Sequence, residues 1–454
     1  MKWKNLAGLT GILVLLFITI YFFEIKGGEE RESKKRTENL LFSVPEDDVV
    51  RIEIRSESDS VICEKMNNVW SIVKPISAGC DSLALSSNLT SLLESTIDRR
   101  ILDTLTALEP FGLDLPCAEV TLTGKDAAPQ RLLIGDENPT GTSVYVKYPD
   151  KPNIFTTNKS LMTFVQKKPF DFRDKKIMHV VANEVNRIEV ISKTKGKTKL
   201  EKTSDGWNII SPVTMRADNN EVQSLLNRLQ NTKAKSFEDE KPINLAKYGL
   251  SMPLLTIHLF SGESLAQSTF SIGAKNLADE SGASFAKESS RDPVFTVENW
   301  LTDNLLKSTF DLQDKNIVPN VRDQRKIDKV IWKFDDKSYV CEKSDSVNWK
   351  LVSLDNVDAD EKQMERWLNG IAELTADELV TYSPGSLNSY GLNQPQVILS
   401  LFENGNEIGT VLIGWKIGES YFVKSADKPF VYKISKSKVI AVRKTAEDLT
   451  RKTS

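Results

Sequence analysis

Four short motifs recur three times, in one order, along a chain of 454 residues. Three tryptophans sit in matching contexts, 137 and 142 residues apart: Asn68-Val69-Trp70-Ser71-Ile72, Asp205-Gly206-Trp207-Asn208-Ile209 and Val347-Asn348-Trp349-Lys350-Leu351. An aromatic-Gly-Leu-x-x-Pro motif recurs as Phe111-Gly112-Leu113 with Pro116, Tyr248-Gly249-Leu250 with Pro253, and Tyr390-Gly391-Leu392 with Pro395; its glycines keep the same two spacings. Glu-Lys pairs precede the tryptophans (Glu64-Lys65, Glu201-Lys202, Glu342-Lys343), and Ile-Gly pairs follow the corners (Ile134-Gly135, Ile272-Gly273, Ile413-Gly414). A unit of this length is one domain of ordinary size, so the chain reads as three tandem copies of one domain.

Composition narrows what those domains do. Hydrophobic residues make up 40% and charged residues 27%, enough apolar material for packed cores. The net charge of -3 leaves no electrostatic footprint for nucleic acid or for an anionic membrane surface. Two histidines and four cysteines argue against a zinc framework, a haem attachment site or a disulfide-dense scaffold.

The first residues set the expected address. Leu6–Phe23 is an uncharged run. At about 1.5 Å per residue, its helix would match the hydrocarbon thickness of a bilayer. Lys2 and Lys4 precede it, and no small-x-small cleavage site follows, which suggests an uncleaved anchor over 1–26. Lys26, Arg31, Lys34, Lys35 and Arg36 on the far side pull against the positive-inside rule. The short basic start followed at once by an apolar run resembles a signal anchor, and places the body outside the cytoplasm. The expected arrangement is a single-pass inner-membrane protein with a periplasmic body. A polar stalk would cover 27–45, and repeat domains 46–180, 181–320 and 321–454.

Each unit reads as α+β: a mostly antiparallel β domain with flanking helices. Val49-Val50-Arg51-Ile52-Glu53-Ile54 alternates as a half-buried strand does, and two further strands follow as a meander. Asp81, Asp218 and Asp360 stand before amphipathic runs, where a carboxylate caps orphan backbone N–H groups. Val222, Leu225, Leu226 and Leu229 have the spacing of one helix face; Met364, Trp367, Leu368 and Ile371 repeat it loosely. A closing helix with Leu161, Phe164 and Val165 leads into Asp171-Phe172-Arg173-Asp174-Lys175, which recurs as Asp311-Leu312-Gln313-Asp314-Lys315 and, weakly, as Glu447-Asp448-Leu449.

Chemistry is sparse. Trp70, Trp207 and Trp349 suit core positions better than a ligand platform. Adjacent Glu and Lys on a strand point to opposite faces, so the pairs read as a solvated strand edge. The loop after Gly135 contains acids and lacks the Gly-Lys-Ser/Thr of a phosphate-binding loop, so the Ile-Gly pairs read as turns between strands. His179 and His258 stand alone, with no metal-ligand spacing, and no Gly-x-Ser-x-Gly elbow is present. No catalytic, cofactor or metal residue is assigned. Cys63 and Cys341 occupy matching strand positions, whereas Cys80 and Cys117 occur only in the first unit and are candidates for a disulfide in an oxidising compartment.

The ordered set of Glu-Lys, strand Trp, capping Asp, aromatic-Gly-Leu-x-x-Pro, Ile-Gly and Asp-(Phe/Leu)-x-Asp-Lys resembles a bacterial family of unknown-function domains, numbered four thousand three hundred and forty. The resemblance runs from about Val49 to the C-terminus. Two departures are the weak third ending and the lack of a second transmembrane segment. The resemblance implies a membrane-anchored extracytoplasmic protein beside the permease and ATPase of a gliding-motility-type ABC transport system, and it carries over no catalytic residues. The expected function is therefore a non-enzymatic accessory or binding subunit without cofactor. The alternative is a glycan or peptidoglycan binding module, which would need the three repeated tryptophans exposed.

Overall fold

The computed structural model describes Phe17, Tyr21 and residues 38–56, 59–102, 107–318, 324–345 and 348–451. Apart from Phe17 and Tyr21, the Leu6–Phe23 run lies outside these residues, as does the stalk up to residue 37. Among the described residues no helix is long and apolar enough to cross a membrane.

The alternating segment at the start of the first repeat forms β1 (Val49–Ser56), with Val49, Ile52 and Ile54 turned inward. Three strands follow outward from it in an antiparallel meander: β2 (Ser60–Met66), β3 (Val69–Lys74) and β4 (Ala78–Gly79). Helix α1 (Ser82–Leu93) then leads from that edge strand to the opposite edge, β5 (Ile97–Leu102). Strands β6 (Ala118–Gly124), β7 (Gln130–Glu137), β8 (Ser143–Lys147) and β9 (Ile154–Asn158) fill the gap, giving the order β4-β3-β2-β1-β6-β7-β8-β9-β5. A helix that joins the two edges must lie across the sheet, and α1 buries Leu85, Leu89, Leu92 and Leu93 in the core that also holds Ile52 and Ile72.

The second and third repeats form two more nine-stranded sheets of the same order. Their crossing helices are α2 (Asn219–Asn231) and α3 (Glu361–Ala372), and the buried faces are those read from the spacing: Val222, Leu225, Leu226 and Leu229, then Met364, Trp367, Leu368 and Ile371. All three aspartates cap. Asp81 accepts from the Ala84 N–H, Asp218 from those of Asn220 and Glu221, and Asp360 from that of Gln363. Each satisfies donors that a helix start leaves open.

The chain divides into two compact bodies, residues 1–175 and 176–454. In the second body the Asp-Leu-Gln-Asp-Lys segment stitches two repeats together. The Asp218 N–H donates to the Leu312 carbonyl (2.9 Å), and a few residues on the Ile317 N–H donates to the Leu374 carbonyl (2.8 Å). In the first body these two roles fall on separate segments. Phe172 receives the Asp81 N–H (2.9 Å) at the exit, and the Leu41 N–H donates to the Ser95 carbonyl (2.9 Å) at the entry. The domain starts therefore need correction. Leu41, Phe42 and Val44 are core residues, so the polar stalk does not extend to residue 45. Ile177, Met178, Ile317 and Val318 are likewise buried, ahead of the expected starts at 181 and 321.

The two glycine motifs meet in every repeat. Gly112, Gly249 and Gly391 each end a short 3-10 turn with φ between 61° and 70°, a left-handed conformation that favours glycine. The carbonyl just before each one rests on the Ile-Gly glycine. A Cβ on Gly135, Gly273 or Gly414 would stand 2.1, 2.1 or 2.0 Å from the carbonyl oxygen of Phe111, Tyr248 or Tyr390. These Ile-Gly pairs are not turns between strands, as the motif suggested. They lie inside β7 and the matching strands Ala266–Asn276 and Asn406–Ile417, where the pairing register shifts. The corner's ring then packs edge-on against an aromatic of the next strand: Phe111 on Tyr145 (4.9 Å), Tyr248 on Phe285 (5.1 Å) and Tyr390 on Phe422 (5.1 Å).

Two alanine substitutions separate this constraint from ordinary helix propensity. Gly273→Ala drives a Cβ into backbone and should cost about 1–3 kcal/mol. Gly370→Ala, inside α3 with nothing within 4 Å of the new Cβ, should gain about 0.5–1 kcal/mol. Urea unfolding of both variants reads the two signs.

Candidate functional site

The repeated tryptophans face inward on the third strand of each sheet, and each is 6% exposed. The repeated Glu-Lys pair belongs to the strand beside it. That strand is interior to the sheet rather than an edge, which corrects the sequence reading. Each lysine stands opposite its tryptophan in the register: Lys65 to Trp70, Lys202 to Trp207, Lys343 to Trp349. The Lys65 and Lys343 ammonium groups lie 6.0 and 5.4 Å from the ring centres, and Lys202 donates to the Asn183 carbonyl instead (3.1 Å). Each glutamate turns to the other face and pairs with a base of the first strand: Arg51–Glu64, Arg187–Glu201 (2.7 Å) and Lys329–Glu342 (2.5 Å). The motif is thus a cross-strand cover for the core, half exposed, and its ion pairs are worth little individually.

A further repeated cation was not read from sequence. Lys147, Lys287 and Lys424 each follow the corner-packing aromatic by two residues. Each turns its ammonium onto backbone carbonyls of the next hairpin turn: Lys147 to Tyr148 (2.9 Å) and Lys151 (2.6 Å), Lys287 to Arg291 and Asp292 (2.6 Å each), and Lys424 to Ala426 (3.2 Å). Burial lowers the pKa of Lys287 and Lys424. The signal was weak because loop lengths between the strands differ, so this lysine keeps no fixed distance from the glycine markers.

The first body holds a wide opening. A cleft of about 590 Å³ runs between the entry segment (Glu38, Leu40, Leu41) and the rim formed by Gln130, Arg131, Tyr148 and Lys151. Tyr148 donates to the Leu41 carbonyl (2.6 Å), Lys151 covers its ring at 4.1 Å, and Arg131 forks onto Glu119 (2.5 and 2.7 Å). Burial pushes the Tyr148 phenol up to about 12. On the other side of the entry segment a second opening of about 460 Å³ is bounded by α1, where Glu46 accepts from Ser86 (2.6 Å) and Thr90 (2.8 Å). In the second body the buried Gln313 is satisfied at both ends of its amide: it accepts from the Tyr382 hydroxyl (2.9 Å) and donates to Tyr432 (3.1 Å). Burial raises both phenols, Tyr432 to about 12.

The candidate disulfide between Cys80 and Cys117 is not made, and neither cysteine is in a disulfide. The Cys80 thiol is hydrogen-bonded to that of Cys63, which holds Cys80 low and, with burial, pushes Cys63 up. Cys117 Sγ donates to the Gly135 carbonyl (3.3 Å), at the glycine corner. His258 lies on a sheet face with Nδ1 2.8 Å from Thr269 Oγ1, and burial lowers its pKa; His179 is exposed on the entry segment of the second body. Among the described residues, His, Cys, Asp and Glu side chains do not gather into a group of three or more that could hold a metal ion. Pro116, Pro253 and Pro395 each follow the corner glycine by four residues.

The raised phenols predict an alkaline transition. Below pH 10 folded and unfolded chains both keep Tyr148 and Tyr432 protonated, and their stabilising effect is complete. Between about pH 10 and 12 the unfolded chain ionises first, so stability falls as pH rises. Phenolate absorbance of the folded protein should show late-ionising groups, and Tyr148→Phe with Tyr432→Phe should remove two of them.

Comparison with known proteins gives one match. The model of a family described as Domain of unknown function (DUF4340) matches three successive stretches, residues 70–212, 207–345 and 349–454. No curated protein and no solved structure matches the chain. The matched stretches start at Trp70, Trp207 and Trp349 and together cover most of the chain, and each takes in one glycine corner and its Ile-Gly strand. The chain therefore belongs to the DUF4340 family, as three tandem copies of its domain.

Proposed function

We propose that this protein is a non-enzymatic accessory subunit of an envelope ABC-type transport or gliding-motility-like complex. It is tethered by the Leu6–Phe23 segment to the inner membrane, with its three domains on the periplasmic side. The observation that carries the reading is where the repeated residues are used. Tryptophan, lysine, glycine and capping aspartate recur because they hold the sheet, the corner and the helix start together. With the tryptophans buried and the glycines held against backbone, most of the outer surface is free to differ between repeats, as suits a scaffold that offers several partner-binding faces. The uncharged N-terminal run supports the tether, and the family resemblance supports the transporter partner by association.

The glycan-binding reading loses its main support. It needed a repeated, accessible aromatic platform, and Trp70, Trp207 and Trp349 are core residues. The exposed rings Trp300 and Trp415 occur at positions that hold Ser160 and Asp136 in the first repeat, so they form no threefold platform.

Mild-detergent purification of the tagged full-length protein from its native membrane tests the proposal. An ABC permease and its ATPase should be recovered in near-stoichiometric amounts by mass spectrometry. Recovery of the protein alone, or with cell-wall fragments, overturns it.

A further inference from the structure

The net charge of the chain conceals a local one. In the second repeat the hairpin of strands Val185–Ser192 and Gly196–Thr203 carries Lys193, Lys195, Lys197, Lys199 and Lys202, with no acid between Lys193 and Lys199. The stretches that join the matching strands are acidic, with Glu57 and Asp59 in the first repeat and Asp335 and Asp336 in the third. The basic turn is fixed in shape. Ser192 Oγ accepts from the backbone N–H groups of Thr194 (3.2 Å) and Lys195 (3.0 Å), and Gly196 takes a φ of 81°. Two acids near the turn are already engaged. Glu189 bridges Lys197 (3.0 Å) and Lys199 (2.8 Å), and Asp311, which feels the Lys195 charge, accepts from the Ser308 hydroxyl (2.7 Å). Lys193, Lys195 and Lys197 are exposed.

The basic turn lies against an apolar tip. The Lys193 N–H donates to the Leu254 carbonyl (3.0 Å), which sets the turn beside the end of the glycine corner. Met252, two residues before Leu254, is 78% exposed. Ile243, just ahead of the corner's 3-10 turn, and Leu277, just past the strand that carries Gly273, are exposed as well. Only the second repeat combines a basic turn with an apolar corner. The first sets the exposed Leu115 in a unit whose turn is acidic, and the third has Gln394 at that place.

Lysines around an exposed apolar tip suit the boundary between headgroups and acyl chains of an anionic bilayer, where the ammonium groups meet phosphates and the apolar side chains leave water. A nucleic acid would engage the lysines and leave Met252 in water. We propose that the Lys193–Lys197 turn and Met252 dock on an anionic lipid surface and hold the second body against the membrane. The docking rests on the tether of the proposed function to bring a bilayer near, and on its own residues for the contact itself.

The full-length chain carrying Met252→dansylalanine is mixed into vesicles of phosphatidylcholine alone or of an equal mixture of phosphatidylcholine and phosphatidylglycerol. Emission should shift to the blue in the anionic vesicles only, and the shift should vanish at high salt, where the charges are screened. Each lysine at an anionic surface is worth about fivefold in binding, so Lys193→Gln with Lys195→Gln should weaken docking by about twentyfold or more and abolish the shift, with the unfolding midpoint unchanged. Glu263→dansylalanine, beyond the other end of strand Leu255–Ser261, should stay unshifted. Flotation with the phosphatidylcholine vesicles reads the tether by itself. A chain that does not float with them, yet shifts with the anionic vesicles, has lost the tether reading and kept the docking. An unshifted probe in anionic vesicles, an equal shift in neutral ones, or a shift that survives the double substitution overturns the proposal. So does an equal shift on adding a soluble DNA duplex.

Discussion

The contact between a corner carbonyl and a strand glycine organises each domain. The chain leaves the crossing helix, makes a short 3-10 turn, and brings its backbone onto β7 and the equivalent strands at a distance that admits no Cβ. That contact has three dependents. It seats an aromatic ring against the next strand, it marks the point where strand pairing shifts register, and it fixes how the second half of the sheet meets β1 and its equivalents. Because glycine is required on both sides of the approach, the two motifs must recur together.

The capped helix joins the two halves of each sheet. Leaving one edge strand and ending at the opposite edge, it must cross the sheet, and so its apolar face becomes the middle of the core. The open edges are then closed by segments from outside the sheet: the entry segment at the far end of the helix, the exit segment at its start. In the second body one extended stretch serves as the exit of one repeat and the entry of the next, with Gln313 buried at its centre between two tyrosine hydroxyls. In that body the two repeats therefore share a segment rather than meeting at a free linker.

Much of this was legible in sequence. The crossing-helix faces, the three capping aspartates and the inward tryptophans followed from periodicity and from residue type, because helix faces and caps are local. The readings that failed were those that depended on residues far apart in the chain. The Ile-Gly pairs looked like turns because a glycine after a strand usually ends it; here the glycine is demanded by a carbonyl from a segment more than twenty residues earlier. The Glu-Lys pairs looked like an edge because two charged side chains suggest solvent, whereas strand order sets β2 between β1 and β3. Cys80 was matched with Cys117 by their shared absence from the other repeats, whereas the fold sets Cys80 beside Cys63 and leaves all the cysteines as thiols.

The sequence by itself determined the number of domains, their order, their α+β class and the residues that make their cores, since these rest on repetition and on short-range periodicity. Only the tertiary structure decided which glycine faces which carbonyl and where each domain begins. Those outcomes depend on strand order and on neighbours supplied by another repeat, and a one-dimensional pattern carries neither.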